Sequence, residues 1–108
     1  MSDLYLKFDS VFFEKTRLSI LTLLYREGRL SFNALKEALG GTDGAVYTHL
    51  EKLKLSGYVT RDKEVIDGNV SSQFELTALG KKEFRAYIEF LEGMVREHSG
   101  EKDGDKKD

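Results

Sequence analysis

The chain has no cysteine and no proline among its 108 residues. Without cysteine there is no disulfide framework, no thiolate metal site and no thiol nucleophile. That composition suits a reducing compartment, and a cytoplasmic location is expected. Without proline, no loop is stiffened by a fixed φ. Side-chain amides are scarce, confined to Asn33, Asn69 and Gln73. Together with abundant Glu and Lys, this profile is common in thermophile proteins, so a thermophilic, archaeal source is expected. No apolar run approaches the ~18–20 residues that cross a bilayer, and no membrane partner is expected. The start, MSDLYLKFDS, lacks a basic region ahead of a long apolar core, so no secretion signal is expected.

An excess of positive charge is also missing. The formal net charge is −2. Residues 99–108, SGEKDGDKKD, hold three lysines and four acids. They read as a charged, disordered tail. The remaining body, 1–98, has the length of one domain. Any polyanion it binds must be held by the distribution of its cations, because their total is small.

The most informative segment is Arg29 to Val59, RLSFNALKEALGGTDGAVYTHLEKLKLSGYV. Ser31 is an N-cap, followed by Phe32, Leu35 and Leu39 at helical spacing, and Gly40 suits a left-handed helix end. Thr42 caps a second helix, with Val46, Leu50 and Leu53 as its apolar stripe and Gly57 as its stop. Two capped helices with almost nothing between them predict a helix-turn-helix, a unit whose usual partner is the DNA major groove. A helical hairpin without a binding role is the alternative at this point.

The flanking segments give that unit a context. Residues 1–14 form an apolar arm, with Asp9 or Ser10 able to cap a short helix. Thr16 is expected to cap RLSILTLLYREG, a helix apolar on nearly every side and therefore buried on every side. Leu30 marks a short strand. Tyr58 to Arg61 begin a longer one, and Glu64 to Leu76 form a hairpin around Asp67-Gly68, a strong turn signal. Thr77 caps a last helix over about 78–98. Its apolar face holds Phe84, Tyr87, Ile88, Leu91, Met94 and Val95. With Leu4 and Leu6 of the arm, this face is expected to form a two-fold dimer interface. The expected fold is mainly α with a small β-hairpin wing, a winged helix-turn-helix with a C-terminal dimerisation helix.

If Val46, Leu50 and Leu53 face inward, Gly44, Tyr47, Thr48 and Glu51 face out. Gly44 allows close backbone approach, and the Thr48 methyl can meet a thymine methyl. Lys52 lies one turn further on, at a phosphate contact. Asp43 either accepts from a cytosine amino group or stabilises the helix N-terminus. No nucleophile with a base, no phosphate-cradling loop and no metal-ligand spacing can be singled out. His49 reads as a packing or hydrogen-bonding residue and His98 as a cation at a helix end. Neither an enzyme activity nor a cofactor is expected.

The blocks RLSILTLL, LSFNALKEALGGTDGAVYTHLEKLKLSGYV and FELTALGKKEF cover most of residues 16–85. In that order they resemble the winged helix-turn-helix transcriptional regulators, in particular small stand-alone members of the ArsR and MarR groups. The resemblance implies a homodimer on double-stranded DNA, with the helix 42–56 in the major groove. Thr42, Asp43, Gly44, Tyr47 and Thr48 would face bases, and Ser31 and Asn33 would touch phosphates. The wing 64–74, with Asn69 and Ser71 at its tip, would reach the flanking backbone or minor groove. A small-molecule effector could sit between the dimer helix and the winged domain. Two features depart from the group: the tip DGNVSS has no cation, and Leu55 stands where a charged residue is usual. They keep a second expectation open, a winged-helix protein-interaction module.

Overall fold

The computed structural model describes residues 8–103, with side chains as far as Glu97. Leu4 and Leu6 lie outside the described residues, as do residues 104–108. A 3-10 turn at Ser10–Phe13 leads into α1 (Lys15–Glu27), β1 (Arg29–Ser31), α2 (Phe32–Leu39) and α3 (Asp43–Leu55). Strands β2 (Val59–Ile66) and β3 (Asn69–Leu76) form the wing, and α4 (Ala78–Asp103) ends the chain. The sheet has the antiparallel order β1-β3-β2.

Most boundaries follow the expected punctuation. Asp9 caps the 3-10 turn by accepting from the Val11 amide, Ser31 accepts from Ala34 and Thr42 from Ala45. Gly40 ends α2 with φ 73°. Two bonds close α3, from Gly57 N–H to the Lys54 carbonyl and from Tyr58 N–H to the Leu53 carbonyl. Their 5→2 and 6→1 pattern satisfies carbonyls that a helix end leaves open. At the hairpin, Asp67 and Gly68 both have positive φ, 52° and 81°. This matches a type I′ turn, whose twist suits the flanking strands.

Three expectations are corrected. Glu14, and not Thr16, caps α1: its carboxylate accepts from the Arg17 amide at 2.7 Å. Thr16 lies within the first turn, too far along to serve the free amides. Secondly, α1 is not buried on all sides. Ile20, Leu21 and Leu24 are in the core, Leu18 and Leu23 are half-buried, and Tyr25 is exposed. Thirdly, α4 continues to Asp103, past the end expected near 98. Residues 99–103 contain no proline, and Gly100 alone costs a helix only about 1 kcal/mol.

The core joins Ile20, Leu21 and Leu24 of α1 with Leu35 of α2 and Val46, Leu50 and Leu53 of α3, closed by Val59, Phe74 and Leu76 of the sheet. An aromatic cluster seals its other end. Phe12 stacks on Tyr87 at 4.9 Å between centroids, and Phe8 meets Tyr87 and Phe90 edge-on or tilted at 5.2 and 5.4 Å. The described part of the arm is therefore held by the chain's own α4. Tyr58 donates its hydroxyl to Asp9 at 3.3 Å. Burial, and then the Asp9 charge, pushes that phenol up to about 12. The hydroxyl so remains a donor across ordinary pH.

α4 is tied to the wing base by Thr77. Its amide donates to the Tyr58 carbonyl at 3.0 Å, and its hydroxyl donates to the Gly57 carbonyl at 2.7 Å and caps Gly80 at 2.8 Å. Gly80 passes so close that a Cβ built there would lie 2.2 Å from the Tyr58 carbonyl oxygen.

Candidate nucleic-acid interface

The exposed face of α3 and the inner face of the wing border one open cleft of about 410 Å³, lined by Asn33, Tyr47, Arg61, Asn69, Ser71 and Ser72 among others. Caps and ion pairs have already engaged several of the residues expected to contact a ligand there. The Ser31 and Thr42 oxygens accept from helix amides. Asp43 pairs with Lys36 at 2.6 Å across the turn, which cancels its charge on this face and uses one cation to do so. The Thr48 hydroxyl donates to the Gly44 carbonyl at 2.9 Å, so its oxygen can still accept but has no proton left to donate. Gly44 has open space in front of it. Tyr47 is 44% exposed, and Lys52 is exposed without an ion pair among the described residues. Asn33 and Asn69 are exposed at the cleft, and Ser71 accepts from Gln73 at 3.1 Å.

Strand register gives two residues of the wing, Arg61 and Ser72, their places on this surface. Val59 lies opposite Leu76, Arg61 opposite Phe74, Lys63 opposite Ser72 and Val65 opposite Val70. Directly opposed residues share a face, and so do residues two apart. Val59, Phe74 and Leu76 are buried, so Arg61, Lys63, Val65 and Val70 continue that inner face outward along the wing. Arg61 lies over the Tyr47 ring, 6.0 Å from its centroid, and donates to Ser72 at 3.3 Å. The opposite face carries Asp62, Glu64 and Glu75, with Arg29 pairing Glu75 at 3.1 Å and Asp62 at 3.5 Å. The wing is thus sided: cations toward α3, acids away from it. Period-two alternation in Arg61-Asp62-Lys63-Glu64 carries this signal, once the buried Val59 identifies which parity faces in.

A second polar group fastens α3 to α1. Arg17 and the His49 ring share a hydrogen bond at 3.2 Å between Nη1 and Nδ1, and the Glu14 carboxylate lies 3.6 Å from the same ring nitrogen. His49 is therefore a structural hydrogen-bonding residue. Burial raises the Glu14 pKa, while the Arg17 and Thr16 amides and the charges of His49 and Arg17 lower it, and the net position is below the usual glutamate value. A depressed carboxyl stabilises the fold above its unfolded pKa and loses that contribution as pH falls through the folded value. Melting curves of native and Glu14→Gln protein should therefore differ near neutral pH and converge as pH falls through the depressed folded value; a constant gap would contradict this role.

The expected dimer face divides. Phe84 and Tyr87 are buried in the chain's own core, Phe84 against Tyr25 at 5.0 Å, because α4 lies on α1 and on the arm. Ile88 and Leu91 are half-buried, whereas Met94 and Val95 are 44% and 65% exposed. An apolar groove remains along Ile88, Leu91 and Val95, edged by Glu92 and Arg96. No helix among the described residues is long and apolar enough to cross a membrane.

Residues 16–95 match the family model described as a winged helix DNA-binding domain. An uncharacterized protein of the thermophilic archaeon Methanocaldococcus jannaschii is 41% identical over 78 residues, covering 72% of this chain and 85% of its own. The fold is similar to that of a transcriptional regulator homologue from Pyrococcus horikoshii, with a TM-score of 0.74 at 22% identity over 81% of this chain and 86% of the other. It is also similar to MarR of E. coli, with a TM-score of 0.65 at 19% identity over 79% and 63% of the two chains. FabT of Streptococcus pneumoniae, solved in complex with DNA, gives 0.62 at 23% identity over 75% and 56%. The helix-turn-helix, the sided wing and these similarities agree: the chain belongs to the winged helix DNA-binding domain family and has the fold of a winged-helix transcriptional regulator.

Proposed function

We propose that this protein is a sequence-specific transcriptional regulator that binds duplex DNA as a homodimer. The observation that carries the reading is the continuous surface from Gly44, Tyr47 and Thr48 of α3 across the cleft to Arg61 and Lys63 of the wing. With α3 in the major groove, Tyr47 and Thr48 meet base edges, and Gly44 lets the backbone approach. The neighbouring phosphates then pass through the cleft, within reach of Asn33, Arg61 and Ser72. Ile88, Leu91, Met94 and Val95 of α4 supply the exposed apolar surface for a two-fold partner, together with Leu4 and Leu6 of the arm. FabT in its DNA complex supports the reading by likeness of fold. A small effector, if there is one, would act at the junction of α4 and the winged body, where it could change the spacing of the two recognition helices.

Cation pairing limits the electrostatic part. Lys36 is engaged by Asp43, Lys54 by Glu51 at 3.7 Å and Arg29 by Glu75. Lys52, Arg61 and Lys63 remain for phosphates, three per protomer. At about −0.9 per neutralised phosphate, a dimer should bind mixed-sequence duplex with a log–log salt slope near −5. Fluorescence anisotropy across a salt series measures this. Absence of binding at low salt would sink the proposal and favour a protein-interaction module, the reading for which Leu55, 82% exposed at the end of α3, speaks.

A further inference from the structure

We propose that the wing tip reads the minor groove with an apolar pair and so selects A·T over G·C base pairs where it lands. The inference rests on the DNA-binding reading above and assigns its wing a specificity that needs no cation. Val65 and Val70 stand directly opposite each other on the inner face and are 70% and 67% exposed. So exposed a pair is covered by little among the described residues, and water is a poor solvent for it. Its occupant is indicated by what adjoins it. On the same face, two residues inward, are Lys63 and Ser72, and two further inward is Arg61 against Tyr47 of the recognition helix. The valine pair is therefore the outer end of a surface whose charge suits phosphate, and it is continuous with the helix proposed to enter the major groove. Two strand residues span about 7 Å, comparable with the ~6 Å width of the minor groove. With Lys63 at a backbone phosphate, the valines arrive over the adjoining minor groove.

The selectivity follows from the chemistry of the groove floor. An A·T pair presents only recessed acceptors there, whereas G·C adds the protruding N2 amino donor. Methyl groups pressed over that amino group strip its water and offer no acceptor in return. Beyond the valines the hairpin holds Ile66, the type I′ turn Asp67-Gly68 and Asn69, so the tip carries no cationic side chain.

Short alternating dG·dC and dI·dC duplexes test this, because inosine keeps the major-groove edge of guanine and lacks only the minor-groove amino group. The native protein should bind dI·dC at least about fivefold more tightly than dG·dC. The Val65→Ser/Val70→Ser double variant, altered only at exposed positions, should bring that ratio near one. Lys63→Ala should lower the salt slope on both duplexes by roughly two per dimer, one phosphate for each protomer. Equal native affinity for the two duplexes, or a ratio that survives in the double serine variant, would overturn the inference while leaving DNA binding intact. Failure to bind either duplex at low salt would overturn the DNA reading itself.

Discussion

Gly80→Ala should lower the melting temperature by roughly 10–20 °C, although it replaces the poorest helix former after proline with the best. Propensity alone would favour alanine by about 1 kcal/mol. The geometry opposes it. The new methyl would lie 2.2 Å from the Tyr58 carbonyl oxygen, about 1 Å inside an ordinary carbon–oxygen contact. Relief requires α4 to lift off the wing base, which strains the three Thr77 hydrogen bonds to Tyr58, Gly57 and Gly80. Overpacking of this kind costs ~1–3 kcal/mol or more, and each kcal/mol is worth about 4–8 °C in a domain of this size. The clash therefore wins over the propensity. Differential scanning calorimetry decides the matter, and a melting temperature equal to or above native would show that α4 is free to shift.

Val95→Lys should halve the sedimentation mass and weaken operator binding by ~10²–10⁴-fold, the gain that bivalent engagement provides. Val95 is a better probe of the α4 face than Leu91. It is 65% exposed, whereas Leu91 also packs on the protomer's own core, so Leu91→Lys mixes dissociation with unfolding. A lysine at Val95 leaves the protomer core untouched and puts two like charges near a two-fold axis. With so few unpaired cations on its proposed DNA face, one copy alone has little hold on DNA, and losing the partner should be severe. Unchanged mass at unchanged helicity would remove Val95 from the interface.

Local signals made much of the fold readable. Ser31, Gly40, Thr42, Gly57, the Asp67-Gly68 pair and Thr77 act through their own backbone or through amides three residues away, so their roles follow from spacing. The apolar stripe of Val46, Leu50 and Leu53 likewise determines which face of α3 is outward. The Glu14 cap was the exception among local features, because Thr16 offers a competing oxygen two residues on. The candidate site was less readable. Contact with DNA asks free polar groups of Ser31, Thr42, Asp43 and Thr48, yet each is engaged by a cap, an ion pair or a backbone carbonyl. Phe84 and Tyr87 fall on the predicted stripe of α4, and periodicity does not distinguish a face turned to the chain's own arm from one turned to a partner.

The sequence by itself therefore determined the order of the elements, most of their ends and the outward face of α3, because these depend on interactions within about four residues. Only the tertiary structure decided which cations remain unpaired, that Arg61 joins Tyr47, and that Gly80 must have no side chain. Those outcomes depend on strand register and on contacts between residues such as Arg29 and Glu75, far apart in the chain, where a shift of one residue would turn every wing side chain to the opposite face.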